Sequence, residues 1–333
     1  MFSPHFSPIQ LPGCTIPGNL FLAPLAGYTD RAFRELCLSY GASFTYTEMV
    51  SAEAIARNNA KTLQLMERAP GESRLGIQLF LSDPDQIRRA LPRLLPCRPT
   101  LIDINCGCPV PKVVKTGAGA ALMRSPERIY EIVKACTELC DIPISVKIRS
   151  GWDASSLTYL ETASAAVDAG AVMVGLHART RVQGYAGKAD WDHIRNLVQT
   201  VPVPIIGSGD LFSPEDAVAM LTSTGCAGIM FARGAIGRPT IFQETRDILE
   251  GRTRRDGVFA SKEERLQIGR LHLRKAVEYR GERIGCKEMK KHLSAYTKGL
   301  PDGSSLRNDL MRCSTVAEYE AVLSGYLQDH PPE

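Results

Sequence analysis

Ten cysteines are scattered through this chain, and one of them has a setting suited to chemistry. Cys108 stands between Gly107 and Pro109, three residues after Asn105, just past the apolar run Leu101–Asn105. Most of the other cysteines read as small buried residues, the default for a thiol inside an apolar pattern. A thiol held where glycine and proline break a regular pattern can act on a substrate instead. A kink at Gly107 is expected to turn it away from the side taken by Cys106. Lys147 stands near the end of the run Ile144–Ile148; a solvated surface lysine is the plain alternative, and the apolar residues ahead of it argue against that. Gln78 interrupts the run Leu75–Leu79, and a buried amide needs partners, which the edge of a planar heterocycle would supply. His177 ends a third run and reads as a site residue or as a satisfied core histidine. The turns Gly207-Ser208-Gly209-Asp210 and Ala232-Arg233-Gly234 can point backbone N–H groups at an anion, with the Arg233 charge beside them. They suit one terminal phosphate.

These residues need elements to bring them together. Apolar, β-rich runs near Leu20–Ala23, Phe44–Thr47, Leu75–Leu79, Leu101–Asn105, Ile144–Ile148, Val172–Leu176, Ile205–Gly207 and Gly228–Phe231 read as eight strands. Helical spacing separates them. Ser82-Asp83-Pro84, Ser125-Pro126-Glu127 and Ser213-Pro214-Glu215 carry helix-start signals, and Asp190 starts a helix through Val198. Strands alternating with helices imply parallel βαβ units, and eight of them predict a closed (β/α)8 TIM barrel. Active sites of that fold lie at the C-terminal strand ends. The polar groups above all fall there, a convergence that a purely structural barrel does not need. After Ile241 the β pattern stops. The reading is a barrel over 1–242 and an all-helical domain over 243–333, with breaks at Gly251–Gly257, Gly281–Gly285 and Gly299–Ser305. Thr116-Gly117-Ala118-Gly119 superficially matches a dinucleotide fingerprint but does not open a helix straight from a strand, so it reads as a decoy.

The 333 residues suffice for a barrel and a small partner, and 44% hydrophobic with 23% charged residues suits a chain that buries a core. No run of about 18 apolar residues exists, so no membrane span is expected. The start, MFSPHFSPIQLPG, lacks the basic and long apolar regions of a signal peptide. The cysteines show neither a disulfide framework nor zinc-type CxxC pairs, so the expectation is a reducing cytoplasm and no metal. The net charge is +4, but residues 252–312 hold sixteen Lys and Arg against eight Asp and Glu. Such a local basic surface suits a polyanion; a solvated helical face is the plain alternative.

In combination these segments resemble the tRNA-dihydrouridine synthases. APLAGYTD (residues 23–30) is similar to the family's APMAGVTD, DINCGCP (103–109) to its D-x-N-x-G-C-P, and TGAGAAL (116–122) to the glycine-rich stretch that follows. SVKIRSGWD, HARTRVQGYAGKADW and ARGAIGRPTIF fall in the family's order, and KEMKKHLSAYTKGLP (287–301) resembles its basic helix. The likeness runs from about Leu20 to Arg312 and lies nearest the bacterial B-type subfamily.

The resemblance implies an FMN-dependent enzyme that takes hydride from NADPH, or NADH, and reduces a uridine of tRNA. By it, FMN contacts fall on Pro24, Leu25, Ala26, Gln78, Lys147, His177, Ser208, Gly209, Asp210, Ala232 and Arg233. Cys108 takes the proton-donor position and Asn105 a place near the uracil. Arg179, Arg181, Lys287, Lys290 and Lys291 are expected to face the RNA. The implied partner is tRNA, and the expected state is a monomer. The chain departs from the family at Ser208, where Asn is usual, at Ala232 for Gly, at Leu25 for Met, and at Cys106 for Met or Phe. Alanine at 232 would restrict φ and add a methyl group near the phosphate. Three other readings use parts of the same pattern. An FMN-dependent barrel oxidoreductase acting on a free pyrimidine or other small molecule, such as a dihydroorotate dehydrogenase, would need no basic tail. Lys147 could form a Schiff base in an aldolase. An RNA-binding protein with a vestigial barrel would not need Cys108 and Lys147 intact.

Overall fold

The fold comes from a computed structural model that describes residues 5–252 and 261–331. It opens with an antiparallel hairpin of β1 (Ile9–Leu11) and β2 (Cys14–Ile16). Nine parallel strands follow: β3 (Leu20–Leu22), β4 (Phe44–Thr45), β5 (Val50–Ser51), β6 (Gly76–Phe80), β7 (Leu101–Cys106), β8 (Ile144–Arg149), β9 (Met173–His177), β10 (Ile205–Ser208) and β11 (Gly228–Phe231). They are hydrogen-bonded in the order β4-β3-β11-β10-β9-β8-β7-β6-β5. A parallel bridge between Tyr46 and Gly76, with the Thr47 amide donating to the Gly76 carbonyl, joins the two ends of the sheet into a ring. Strands β4 and β5 share the second position of that ring. Between them the Thr47 hydroxyl, not a backbone carbonyl, accepts the Gln78 amide at 3.1 Å. All eight expected strands are present, so the apolar, β-rich runs specify the barrel.

Alternation along each strand sorts its side chains. Ile102, Ile104, Cys106, Val146, Ile148, Val174 and Leu176 face outward into a cluster shared with the surrounding helices. The intervening positions point into the barrel. At its N-terminal end the hairpin's Ile9, Leu11 and Ile16 pack with Phe21, Phe44, Leu101, Met173 and Ile206, which closes that end with apolar side chains. Toward the C-terminal end the inward positions become polar: Gln78, Asp103, Asn105, Ser145, Lys147, Arg149, His177 and Ser208.

The helix starts follow their signals with one exception. Asp83 and Ser213 form capping boxes ahead of Pro84 and Pro214, and Asp190 accepts from the Asp192 amide. Such caps are worth about 1 kcal/mol each. Ser125 makes no capping hydrogen bond, so Pro126 alone marks that start. The helix Ile241–Leu249 packs into the barrel cluster through Ile241, Phe242 and Leu249. The barrel layer therefore reaches Leu249, and a division after residue 242 would cut its last helix near the start.

Among the described residues four helices follow: Lys262–Arg280, Glu282–Tyr296, Gly303–Arg312 and Val316–Asp329. The break at Gly251–Gly257 runs into residues outside those described. At Gly281 the chain does break, but Gly285 lies within a helix, where a Cβ would stand 2.8 Å from the Val277 backbone. Glycine there permits a close helix crossing. The last expected break is shorter than Gly299–Ser305, because the third helix begins at Gly303.

The helical part docks on the barrel helix Arg31–Ser39, whose Ala32 and Leu36 share a buried cluster with Leu266, Leu273, Leu293 and Tyr296. Lys275 pairs with Glu35 at 2.7 Å. Deeper in the seam Phe33 stacks on His272 at 5.4 Å, and His272 meets His292 at 4.4 Å between ring centres. Both imidazoles are fully buried, and burial holds both below the usual histidine range, His272 at about 3. Asp30, His272 and His292 bring ligand-type atoms within 4.8 Å of one another. The Lys291 charge, which helps hold both rings neutral, opposes a cation there.

Candidate active site

The C-terminal strand ends surround a cavity of about 450 Å³. Its lining includes Pro24, Leu25, Ala26, Gln78, Asn105, Cys108, Lys147, His177, Ser208, Gly209, Asp210, Ala232 and Arg233. These thirteen residues, which come from strand ends far apart in the chain, are thus brought together. Arg179, Arg181, Lys287, Lys290 and Lys291 are not part of the lining.

Cys108 lies just beyond β7. Cys106, the last strand residue, is fully buried in the outer cluster, whereas Cys108 is half-buried and faces the cavity. The two thiols take different sides, because strand alternation ends at Gly107. Asn105 holds the turn: its Oδ1 accepts the Gly107 amide at 3.2 Å and the Cys108 amide at 2.9 Å. The Cys108 carbonyl accepts from Ala120 at 3.0 Å. Gly119, with φ +62°, passes so close that a Cβ would stand 2.8 Å from that carbonyl. The glycine-rich stretch set aside as a decoy is therefore the backbone cradle of the cysteine. Burial pushes the Cys108 thiol up, against the Val110 amide and the charges of Arg149 and Lys147. At neutral pH it keeps its proton.

Beneath the cysteine, the polar residues satisfy one another. Gln78 Nε2 donates to Asp103 at 2.7 Å, and Gln78 Oε1 accepts from Asn105 Nδ2 at 2.8 Å. The partners expected for Gln78 from a heterocycle are thus supplied by the protein. Asn105 likewise uses both ends of its amide internally.

Lys147 differs. Its ammonium has no hydrogen bond or ion pair with any described residue and faces the cavity. Burial, with the neighbouring Arg149 charge, lowers it to about 8. His177 is kept neutral by burial and by the cations Arg149, Lys147, Arg179 and Arg233. Its Nε2 lies 3.3 Å from Arg179 Nη1, and an arginine can only donate. The ring proton therefore sits on Nδ1.

Arg179 was expected to face RNA, and the structure corrects this. It is 2% exposed and donates to both Asp210 oxygens at 2.7 and 2.8 Å and to the Gly187 carbonyl at 2.7 Å. With Nε donating to the Ala186 carbonyl and Nη1 beside His177, the buried guanidinium is committed mainly to the protein interior. Asp210, in turn, is held by Arg179 and the Ala189 amide, so it shapes the turn rather than offering a free carboxylate. The Ser208 hydroxyl donates to the Met230 carbonyl at 3.0 Å, which leaves it only as an acceptor toward the cavity. Ala232 has φ −119°, outside the left-handed region that favours glycine. Gly209, with φ +122°, does need glycine, and a Cβ on Gly234 would collide with the Leu211 carbonyl at 2.1 Å. Arg233 stands at the rim, 40% exposed, over the Tyr185 ring at 4.6 Å.

The remaining expected RNA contacts lie outside the cavity. Arg181 stacks over Trp152 at 4.6 Å. Lys287 is exposed, but Lys290 donates to the Met311 carbonyl at 2.6 Å and Lys291 lies 5.4 Å from the Tyr28 ring centre, near Asp30 and Glu48. The lining also includes Met49, Arg149 and Tyr185, to which the sequence reading assigns no site role. Arg149 donates to the Gly107, Thr180 and Gly184 carbonyls at 2.9, 3.0 and 2.9 Å, tying the cysteine turn to the loop that carries Tyr185. Its signal was its spacing two residues after Lys147, which puts both on one strand face.

An unpartnered enclosed ammonium, a protonated thiol and two obligate-glycine turns beside an arginine fit a flat, electron-rich ring carrying a phosphate. Fold and site together define a βα-barrel enzyme with a cationic, thiol-bearing cleft. A family model described as dihydrouridine synthase (Dus) matches residues 21–330. A probable tRNA-dihydrouridine synthase of Treponema pallidum is 44% identical over 96% of this chain and 96% of its own length. The tRNA-dihydrouridine synthase B of Vibrio parahaemolyticus is 36% identical, over 94% of this chain and 97% of its own. Among solved structures, a histamine dehydrogenase from Rhizobium sp. 4-9 shares the fold, with a TM-score of 0.56 and 15% identity over 86% of this chain and 50% of that one. The chain belongs to the dihydrouridine synthase family.

Proposed function

We propose that this protein reduces the C5–C6 double bond of uridine in tRNA, with FMN bound at the barrel mouth and NADPH as reductant. The observation that carries the reading is the half-buried, protonated Cys108 thiol at the edge of a cavity that also holds an unpartnered Lys147. FMN, when bound, supplies hydride chemistry and takes its electrons from the nicotinamide. Lys147 Nζ would neutralise negative charge on its ring. The Gly209 and Gly234 turns with Arg233 would hold its phosphate. Cys108 Sγ–H gives its proton to C5 as C6 gains hydride, so the uracil gains two hydrogens and the thiolate is reprotonated from solvent. A thiol kept above the ordinary range suits that role and does not suit a nucleophile.

The uridine must leave its stack to reach the barrel mouth. Tyr185, 54% exposed at the rim, offers a flat face to an unstacked base. The basic helical region, with Lys287 outward, would hold the RNA backbone. A free pyrimidine as substrate would leave that region without a task. Incubation of purified protein with unmodified tRNA, FMN and NADPH should give a uridine heavier by two hydrogens in digested tRNA. A colourless protein that takes up no FMN, or tRNA left unchanged, would defeat the proposal.

A further inference from the structure

We propose that Asp103 is a positioning residue for the reaction: through Gln78 and Asn105 it sets the orientation of the turn that carries Cys108. The inference rests on the reading of Cys108 as proton donor. Asp103 is the third residue of β7, faces the barrel interior, is 3% exposed and does not line the cavity. It does not reach the cavity, so its effect on catalysis passes through other residues.

The route is a line of hydrogen bonds with a fixed direction. Asp103 Oδ1 accepts from the Ser145 hydroxyl, and Oδ2 accepts from Gln78 Nε2 at 2.7 Å. Gln78 Oε1 therefore turns to Asn105 Nδ2, at 2.8 Å. That in turn presents Asn105 Oδ1 to the amides of Gly107 and Cys108, at 3.2 and 2.9 Å. The oxygen and nitrogen ends of an amide are nearly alike in shape, so packing alone does not choose between them. Polarity at the two ends of the line does. An ionised carboxylate can only accept and a backbone N–H can only donate. Reversing either amide would set donor against donor, or acceptor against acceptor, in a buried place where an unmade bond is costly. Burial raises the Asp103 carboxyl to about 6, so at neutral pH it remains largely ionised and acceptor-only.

Without that anchor only the backbone amides at the far end hold the direction; Gln78 is then free to flip, and when Asn105 turns with it the Cys108 amide loses its acceptor. The thiol then leaves its place at the cavity edge. A displacement of about 1 Å at a reacting group costs up to about 100-fold in rate.

Two substitutions separate this role from the carboxylate's charge. Asp103→Leu removes the acceptor; Asp103→Asn keeps an acceptor oxygen for Gln78 and can give its NH2 to Ser145. Both remove the same negative charge beside Lys147, so a difference between them reports hydrogen bonding alone. The readouts are FMN content, flavin bleaching by NADPH, and single-turnover reduction of tRNA uridine by the prereduced enzyme. Asp103→Leu should slow the uridine step about 10- to 100-fold, while Asp103→Asn restores it to within a few-fold of the parent. In both, FMN content and bleaching should stay near parental. In a Cys108→Ala background, Asp103→Leu should add almost nothing, because the two act through one thiol.

Equal losses in the Leu and Asn variants, parental rates in Asp103→Leu, or full additivity with Cys108→Ala would overturn the proposal. Should Asp103→Leu fold poorly, Asp103→Ala removes the same acceptor and is read in the same way. A Cys108→Ala enzyme with parental rates would instead refute the proton-donor reading, so the two failures are distinguishable.

Discussion

Lys147, enclosed at the barrel mouth, has no partner among the described residues, whereas Lys290 and Lys291, nearer the surface of the helical region, are both engaged. Simple solvation would favour the reverse. An enclosed ammonium without a hydrogen-bonded counter-group is costly, and its lowered proton affinity is one expression of that cost, which the nearby Asp103 carboxylate offsets only in part. Such a group is retained when something else neutralises it. The lysines on the helical region have a different duty: one closes the end of the helix Gly303–Arg312 and the other lies against Tyr28 of the barrel. A charge that is buried and open therefore marks binding better than a charge that is merely near the surface.

The largest expected effect tests the mouth. Cys108→Ala should lower dihydrouridine formation by roughly 10²–10⁴, the usual worth of a positioned general acid. Cys106→Ala, which alters only the outer cluster, should keep most activity. Both should retain FMN. Stopped-flow separation of the two half-reactions checks this; equal losses would mean that the two thiols are not distinguished by where they point.

Next come the two arginines beside Asp210, Arg179 buried and Arg233 at the rim, with Lys147. Arg179→Ala removes the bidentate partner of Asp210, leaving it the Ala189 amide and Arg233 at 3.7 Å, and should destabilise the fold by about 3 kcal/mol, at the lower end for a buried ion pair because Asp210 retains some solvent. Arg233→Ala and Lys147→Ala should leave the thermal midpoint nearly unchanged and weaken FMN binding by about 10- to 100-fold each, the range for a charged hydrogen bond. Calorimetry and flavin titration read the two quantities separately. Loss of FMN affinity in Arg179→Ala with parental stability would reverse the assignment.

The seam between the regions gives a smaller, pH-dependent effect. His272 is held at about 3 when folded, against an ordinary value of 6.5. Between those values the unfolded chain binds the proton and the folded chain does not. Stability from the neutral ring is therefore complete above about pH 6.5 and falls on acidification, by about 1.4 kcal/mol per pH unit for each such imidazole. His292 is depressed in the same direction. Urea unfolding at pH 7.5, 6 and 5 should show a steeper loss in the parent than in His272→Phe. Parallel curves would mean that His272 does not titrate on unfolding in this range.

The barrel was legible because strand alternation is a local property. The runs ending at Asn105, Ile148 and His177 carry their own direction, and the residues on the inward face could be read off. Register was not legible. Gln78 stands directly opposite Asp103, and Asn105 opposite Lys147, only because β6, β7 and β8 pair as they do. The internal partners of Gln78 followed from that pairing and not from composition. Arg179 was misread for the same reason, since Asp210 lies 31 residues away. Gly119 looked like part of a nucleotide loop because its real neighbour, the Cys108 carbonyl, is brought by folding. In the helical part, the motif KEMKKH shows charge but not which turn of the helix meets Met311 or Tyr28.

That last point yields the smallest and most discriminating test. RNA binding releases counterions, so affinity falls with salt at a slope set by the number of phosphates neutralised. Removing one phosphate contact should reduce that slope by about one unit. Lys287 is exposed and has no partner among the described residues, so its ammonium is available. Lys290 donates to Met311 and would have to break that bond to reach a phosphate. Lys287→Ala should therefore lower the slope by about one unit, with tRNA affinity measured between low and moderate salt. Lys290→Ala should leave the slope unchanged and lower the thermal midpoint slightly, through loss of a helix-end contact. NADPH oxidation without RNA should be parental in both, since neither residue lines the cavity. If Lys290→Ala changes the slope and Lys287→Ala does not, the lysine gives up its Met311 contact when RNA binds. The contrast between engaged surface lysines and open buried ones would then hold only for the free protein.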